Sequence, residues 1–274
     1  MNLNIIPIIV LGACIGSFLN VLIYRIPRKE SFVFNRSHCT SCNKNLSVFD
    51  LFPIFSSILL GGKCRYCGNS IPIRYTLIEF FTAILFSLSL FSKGLIYGPV
   101  PILFSLISGW ILVSYLIVLF FIDYDFMILP DSLTYSGSLV GLFLIFYYEK
   151  FISKTSTVIF FDHLSAYIFA LFGFLILNFI IQIIIGKPGL GNGDAKLFAM
   201  SGAWLGFSGL EVTIALSFLL SAIFVVFGFI SKHITKGDYI AFGPFVCTSV
   251  LLVWFFGATF WFEKLGNIFW WKYI

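Results

Sequence analysis

The sequence predicts an all-α, polytopic membrane protein of about eight transmembrane helices with one small polar loop. Of the 274 residues, 59% are hydrophobic and only 11% are charged, and the mean hydropathy is +1.02. Soluble domains carry about 25% charged residues, so one core could not bury this apolar excess. Apolar runs near the twenty residues that a spanning helix needs recur along the chain, and the 36 phenylalanines suit lipid-facing and interfacial positions.

Four spans are expected in the first half of the chain, at about residues 3–26, 75–91, 100–122 and 132–148. The first is expected to be retained, not cleaved as a signal peptide, because no basic segment precedes it. The one long polar segment, residues 28–74, separates it from the second. Pro130 precedes the fourth span, where Asp131 or Ser132 can cap the new helix.

Four more helices are expected in the second half, at about residues 164–185, 196–205, 210–230 and 242–262. The helix at 196–205 is shorter than a span requires. Just before it, the stretch Gly189–Lys196 places three glycines ahead of one carboxylate, Asp194. Glycine permits positive φ and a close backbone approach, and a carboxylate at the edge of an apolar segment is costly. We therefore expect Asp194 to have a function.

The basic residues predict the orientation of the chain. With eight spans, twelve of the 17 lysines and arginines fall in odd-numbered connections and five in the even-numbered connections and the C-terminal tail. Because basic residues favour the cytoplasm, we expect both termini outside it and loop 28–74 inside it. Asp123, Asp125, Asp131 and Asp194 then lie at the cytoplasmic ends of spans. The net charge of +5 thus indicates topology and no nucleic-acid partner.

Four of the six cysteines form two Cys-x-x-Cys pairs in the polar loop, at Cys39, Cys42, Cys64 and Cys67. Four thiolates at this spacing match a tetrahedral zinc site. Two disulfides are the alternative, against which a reducing cytoplasm argues. Since four protein ligands leave no open position, the expected small cytoplasmic zinc-binding loop is structural. Cys14 and Cys247 lie in apolar runs, where small core residues are expected.

Asp123 follows the third span, so it can meet Asp194 at the same boundary. Two carboxylates at close range share one proton, and one can then act as base on water while the other donates to a peptide carbonyl. This is aspartic protease chemistry. Asp125 is either support for the pair or an ordinary interfacial charge. Asp131 is most simply a helix N-cap.

Three further polar residues lie in or beside apolar segments. Asn20 should face protein, where it either bonds a neighbouring helix or belongs to a polar site. Glu79, inside the second span, requires a basic residue or a polar ligand as partner. Lys196 can pair with a nearby acid or with lipid headgroups.

Six motifs in order give the chain a family resemblance. They are Gly16-Ser17-Phe18-Leu19-Asn20-Val21 with Arg25 and Pro27, the paired Cys-x-x-Cys loop, Pro72-Ile73-Arg74-Tyr75 with Glu79, Ile122-Asp123-Tyr124-Asp125 with Leu129-Pro130-Asp131, Gly191-x-Gly193-Asp194-x-Lys196, and Phe242-Gly243-Pro244-Phe245. Over nearly its whole length the chain resembles the type IV prepilin leader peptidase/N-methyltransferases.

The resemblance implies a bifunctional enzyme of the bacterial inner membrane. Its catalytic acids fall on Asp123 and Asp194, as in the Gly-x-Gly-Asp intramembrane aspartic proteases. The supporting candidates are Asp125, Asp131, Gly191, Gly193 and Lys196. The family cuts basic leaders from prepilins or pseudopilins at the cytoplasmic face of the bilayer and then methylates the new N-terminus with S-adenosylmethionine.

The resemblance also implies a division of the chain. Residues 1–91 carry the first span, the zinc loop and the second span, and are the region associated with N-methyltransfer. Asn20, Arg74 and Glu79 are its candidate residues. Residues 92–274 are the peptidase region. The alternative from another class is a proton- or cation-coupled membrane transporter that uses the same acids.

Overall fold

The computed structural model describes residues 5–31, 36–92, 101–153, 158–186, 191–235 and 239–266. Within these ranges the regular structure is helical, apart from two isolated antiparallel bridges at His38–Asn45 and Lys63–Ser70. The α-helices are α1 (Ile5–Arg25), α2 (Phe55–Leu59), α3 (Arg74–Leu88), α4 (Ile102–Phe126), α5 (Asp131–Tyr147), α6 (Val158–Ile185), α7 (Asn192–Ile230), α8 (Gly243–Phe256) and α9 (Ala258–Gly266). Short 3₁₀ turns cover Val48–Leu51 and Ser89–Phe91, and a π-helical turn covers Tyr148–Ser153.

The prediction of an all-α, polytopic membrane protein is confirmed. Five of the described helices are long and apolar enough to cross a membrane, and the bent pair α8 and α9 makes six if it counts as one span. The helix α5 lies where the fourth span was expected but has only 17 residues. Length and composition thus give five or six spans where the sequence predicts about eight.

The structure has two bends near its C-terminal helices, one at a predicted helix boundary and one inside a predicted span. The predicted helices at 196–205 and 210–230 form one helix of 39 residues, α7, which is interrupted at Gly206 (φ 68°, ψ −172°). The last predicted span is broken at Gly257 (φ 82°), where α8 and α9 meet at 101°. Positive φ costs glycine little, so both bends fall where the backbone tolerates them.

The chain divides into two compact units, Met1–Leu90 and Phe91–Ile274. In the N-terminal unit, α1 packs closely along α3. A Cβ on Gly16 would lie 2.7 Å from the Cα of Glu79, so only glycine permits this approach. The Asn20 side-chain amide donates to the Tyr75 carbonyl at 3.1 Å, which realises the interhelical bond considered for it.

In the C-terminal unit, the first half of α7 forms the centre of the core. Its buried residues include Phe198 and Trp204, and the Trp204 indole N–H donates to the Gly137 carbonyl of α5 at 2.8 Å. A Cβ on Gly202 would lie 2.9 Å from the Ala166 backbone of α6. This packing holds rigidly the helix that begins just before Asp194.

The structure tests the expectations for the two cysteines outside the loop and describes only part of the stretch before Asp194. Cys247 is fully buried as expected, but Cys14 is exposed on α1 and is not a core residue. The stretch before Asp194 is described only from Gly191 onward. The following residues used in the sequence arguments lie outside the described ranges: Lys93, Lys154, Lys187, Gly189, Leu190, Lys236 and Lys272.

Candidate functional site

Three helix ends meet around Asp123, the buried carboxylate of the C-terminal unit. Asp123 lies in the last turn of α4, and only 5% of it is exposed. Its Oδ2 atom accepts the N–H of Gly243, the first residue of α8, at 2.8 Å. The helix α4 ends four residues later at Met127 in a left-handed conformation, and the Met127 N–H bonds the Asp123 carbonyl.

Asp194 is the third residue of α7 and is more open to its surroundings than Asp123. Its Oδ2 atom accepts the N–H of Gly191, the N-cap residue, at 3.2 Å. An acid at this position satisfies a free donor of the helix terminus and complements the helix dipole. Gly191 has φ −67°, so it does not use positive φ; a Cβ there would instead lie 3.0 Å from Asp194 Oδ2.

The structure brings Asp123 and Asp194 together. The two carboxylates interact electrostatically although 71 positions separate them in the sequence. The thiol of Cys247, one turn into α8, is fully buried. Two acids in this arrangement, one buried against a backbone donor and one partly open, can exchange protons with a water and a carbonyl between them.

Gly243 is a site residue that the sequence argument did not select. A Cβ at this position would lie 2.6 Å from Asp123 Oδ2, so a side chain here would displace the carboxylate. The signal was present, because glycine and proline together open α8, but its contact lies 120 positions away. Nothing local in the sequence indicates that contact.

Lys196 and Asp131 form an ion pair beside this site. The Lys196 Nζ atom lies 2.6 Å from Asp131 Oδ1 and 5.4 Å from the centroid of the Tyr135 ring. The expectation that Asp131 caps a helix is wrong. Pro130 is the N-cap of α5, and Asp131 is the first residue of that helix. The Lys196 ammonium group holds the Asp131 carboxylate instead.

The two remaining supporting candidates have different surroundings. Asp125 is exposed in the last turn of α4. A Cβ on Gly193 would lie 3.0 Å from the Cβ of Leu129, so the first turn of α7 packs tightly on the Leu-Pro-Asp segment before α5.

The four loop cysteines form one cluster in the N-terminal unit. The Sγ atoms of Cys39, Cys42, Cys64 and Cys67 all lie within 4.8 Å of one another, and those of Cys39 and Cys67 are 3.9 Å apart. Tetrahedral zinc with Zn–S bonds of about 2.3 Å requires S–S separations of about 3.8 Å. All four thiols are free, so the disulfide alternative is not realised.

Backbone amides turn toward these sulfurs. The pKa of the Cys39 thiol is lowered to about 6, chiefly because the N–H of Cys42 and then that of Ser41 hydrogen-bond to it. A thiolate is the form that binds zinc. The donor set and its spacing therefore fit a zinc ion.

A cavity of about 190 Å³ lies between α1, α3 and the loop of the N-terminal unit. Its wall includes Asn20 and Glu79, whereas Arg74 is not among its lining residues. Glu79 is 8% exposed, and its Oε2 atom accepts the Ile54 N–H at 2.7 Å, which supplies the polar partner that Glu79 requires. The hydroxyl, amide and carboxylate groups on this wall fit a polar ligand.

Two family descriptions match the chain. "Bacterial Peptidase A24 N-terminal domain" matches residues 10–92, and "Type IV leader peptidase family" matches residues 110–226. No solved structure matches the chain significantly.

Curated relatives are similar over most of the chain. A prepilin leader peptidase/N-methyltransferase of Neisseria gonorrhoeae is 34% identical over 92% of this chain and 90% of its own length. One from Legionella pneumophila is 32% identical over 89% and 88%. One from Myxococcus xanthus is 38% identical over 72% of this chain and 54% of its own length. With two domain matches and relatives aligned over most of its length, the chain belongs to the type IV leader peptidase family.

Proposed function

We propose that this chain removes the leader from prepilins or pseudopilins with the pair Asp123 and Asp194, and then methylates the new N-terminus. The observation that carries the peptidase proposal is the meeting of both carboxylates at the end of α4 and the beginning of α7. The names of the relatives support the two activities.

In the proposed hydrolysis, the pair holds one proton and a water lies between the carboxylates. The ionised acid takes a proton from the water, whose oxygen attacks the scissile carbonyl, while the other acid donates its proton to the carbonyl oxygen. Collapse of the tetrahedral intermediate breaks the C–N bond and returns a proton to the leaving amine. The Gly243 N–H fixes Oδ2 of Asp123, which leaves Oδ1 for this exchange.

We place the reaction at the cytoplasmic face of the bacterial inner membrane. In the eight-span prediction from the sequence, the excess of basic residues in the odd-numbered connections supports this orientation. Asp123 and Asp194 both lie at helix ends, where the basic leader of a prepilin would stay in water while its apolar segment lies along the spans.

For the methyl transfer we propose the cavity of the N-terminal unit. When bound there, S-adenosylmethionine would supply an electrophilic methyl group. Glu79 presents a carboxylate that attracts a cationic donor, and Asn20 fixes the approach of α1 to α3 that forms one wall. The cysteine cluster would hold a structural zinc, which would fix the loop that closes the other side of the cavity.

Reconstituted protein mixed with a prepilin tests both activities by mass spectrometry. We expect loss of the leader with wild type and a further gain of one CH₂ only when S-adenosylmethionine is added. Asp123→Asn and Asp194→Asn should abolish the mass loss. Full cleavage by both variants refutes the peptidase proposal, and uptake of protons or cations that depends on Asp194 without any cleavage supports the transporter.

A further inference from the structure

Six large apolar side chains face outward from the loop of the N-terminal unit. They belong to residues 48–59, here called the apolar ridge, which contains the 3₁₀ turn Val48–Leu51 and helix α2. They are between 54% and 84% exposed: Val48, Phe49, Phe52, Phe55, Ile58 and Leu59. The exposed surface of a soluble loop rarely concentrates so many large apolar groups, so the apolar ridge requires a partner.

The apolar ridge is hydrogen-bonded to the beginning of a membrane span. The Ile54 N–H donates to Glu79 at 2.7 Å, and the Thr76 hydroxyl donates to Ser57 at 2.9 Å. Thr76 and Glu79 lie in the first two turns of α3, within the candidate span Arg74–Phe91. These bonds hold the ridge beside the end of a spanning helix, at the depth where hydrocarbon meets headgroups.

The exposed surface of the ridge continues on α3 itself. Ile73, Leu77 and Phe80 are exposed and follow one another at helical spacing, so they form a stripe next to Thr76. Lipid covers that stripe because α3 is a candidate membrane span.

The charges around the apolar ridge fit a lipid surface. Between positions 47 and 62 the one charged residue is Asp50, and only 4% of its side chain is exposed because it pairs with Arg65. Exposed lysines, Lys44 and Lys63, flank the segment. An uncharged apolar surface flanked by cations is typical of segments that lie in the membrane interface and attract anionic headgroups.

We propose that the apolar ridge is inserted into the lipid interface and anchors the cysteine loop to the membrane between α1 and α3. The loop is then not a free aqueous domain. Its cysteine cluster and its cavity are held at a constant height against the bilayer.

Site-specific photocrosslinking of the full-length protein tests this proposal. The photoreactive p-benzoylphenylalanine replaces Phe55 or Leu59 in protein embedded in nanodiscs of phosphatidylcholine and phosphatidylglycerol. Phe81, exposed on the membrane span α3, is the positive control, and Tyr66, an exposed aromatic residue of the loop outside the ridge, is the negative control. All four side chains are exposed, so the variants should keep the wild-type melting temperature.

We expect lipid adducts at positions 55 and 59 in yields comparable with position 81 and about fivefold or more above position 66, since only a ridge at the acyl boundary meets lipid tails. Adding a saturating prepilin should not change these yields. Adducts at the level of position 66 overturn the proposal. Adducts that move from lipid to prepilin also overturn it, and assign the ridge to the substrate's apolar helix.

Discussion

Replacing Gly243 with alanine tests how closely α8 holds Asp123. The new Cβ would lie 2.6 Å from Asp123 Oδ2 and 3.0 Å from its Cγ. Ordinary contact begins near 3.4 Å, so the carboxylate must move by about 0.8 Å or α8 must retreat by as much. A misplacement of about 1 Å at reacting groups costs roughly 10²-fold in rate, so we expect kcat/KM for prepilin cleavage to fall by about 10²-fold.

Folding should suffer less than activity. Overpacking costs about 1–3 kcal/mol, and alanine regains up to about 1 kcal/mol of helix propensity over glycine. Gly173→Ala is the matched control, because a Cβ there meets nothing within 4 Å. The assay is prepilin cleavage in proteoliposomes alongside thermal unfolding. A Gly243→Ala protein that cleaves as fast as the Gly173→Ala control would refute the positioning argument.

Two other substitutions address the surroundings of the aspartate pair. Gly193→Val should lower cleavage more than the melting temperature, because its side chain meets Leu129 beside Asp194; equal losses would contradict this. Lys196→Met should lower stability by at most about 1 kcal/mol, the usual value of a partly exposed pair, with a similarly small coupling to Asp131 in a double-mutant cycle.

Asp50→Asn should loosen the loop by about 1–3 kcal/mol at neutral pH, measured by hydrogen exchange. Burial alone would raise the pKa of Asp50, but the bonds from Ser47 and the charge of Arg65 hold it below its ordinary value. The stabilisation is therefore present above that value and lost as the pH falls through the lower folded pKa. The variant should lack this acid transition, and its persistence would assign the transition to another group.

The features readable from the sequence are those with strong local signals. Apolar runs of about twenty residues define α1, α3, α4 and α6, because a membrane span must satisfy its backbone bonds within one helix. The cysteine spacing likewise predicts a four-thiol cluster, because the two cysteines of each Cys-x-x-Cys pair lie on one turn. Asp194 stands out in the sequence because a carboxylate at the edge of an apolar segment is costly.

The features hidden from the sequence depend on contacts between distant segments. The sequence around Asp131 predicts a helix cap, but in the structure Lys196, 65 positions away, binds this carboxylate. The sequence around Gly243 predicts only the start of a helix, but in the structure its N–H donates to Asp123. The residues of the apolar ridge lie within a segment that averages as polar. Their position beside α3 depends on two hydrogen bonds between distant residues, from the Ile54 N–H to Glu79 and from the Thr76 hydroxyl to Ser57.

The central claim is that Asp123 and Asp194 act as one catalytic unit. The most direct measurement compares prepilin cleavage by Asp123→Asn, Asp194→Asn and the double variant, with methylation of an already cleaved pilin as the test of intact folding. Because residues that act together are strongly non-additive, we expect both single variants to fall to the residual rate of the double variant while methylation persists. Substantial cleavage by either single variant, or losses that multiply in the double variant, would contradict the claim.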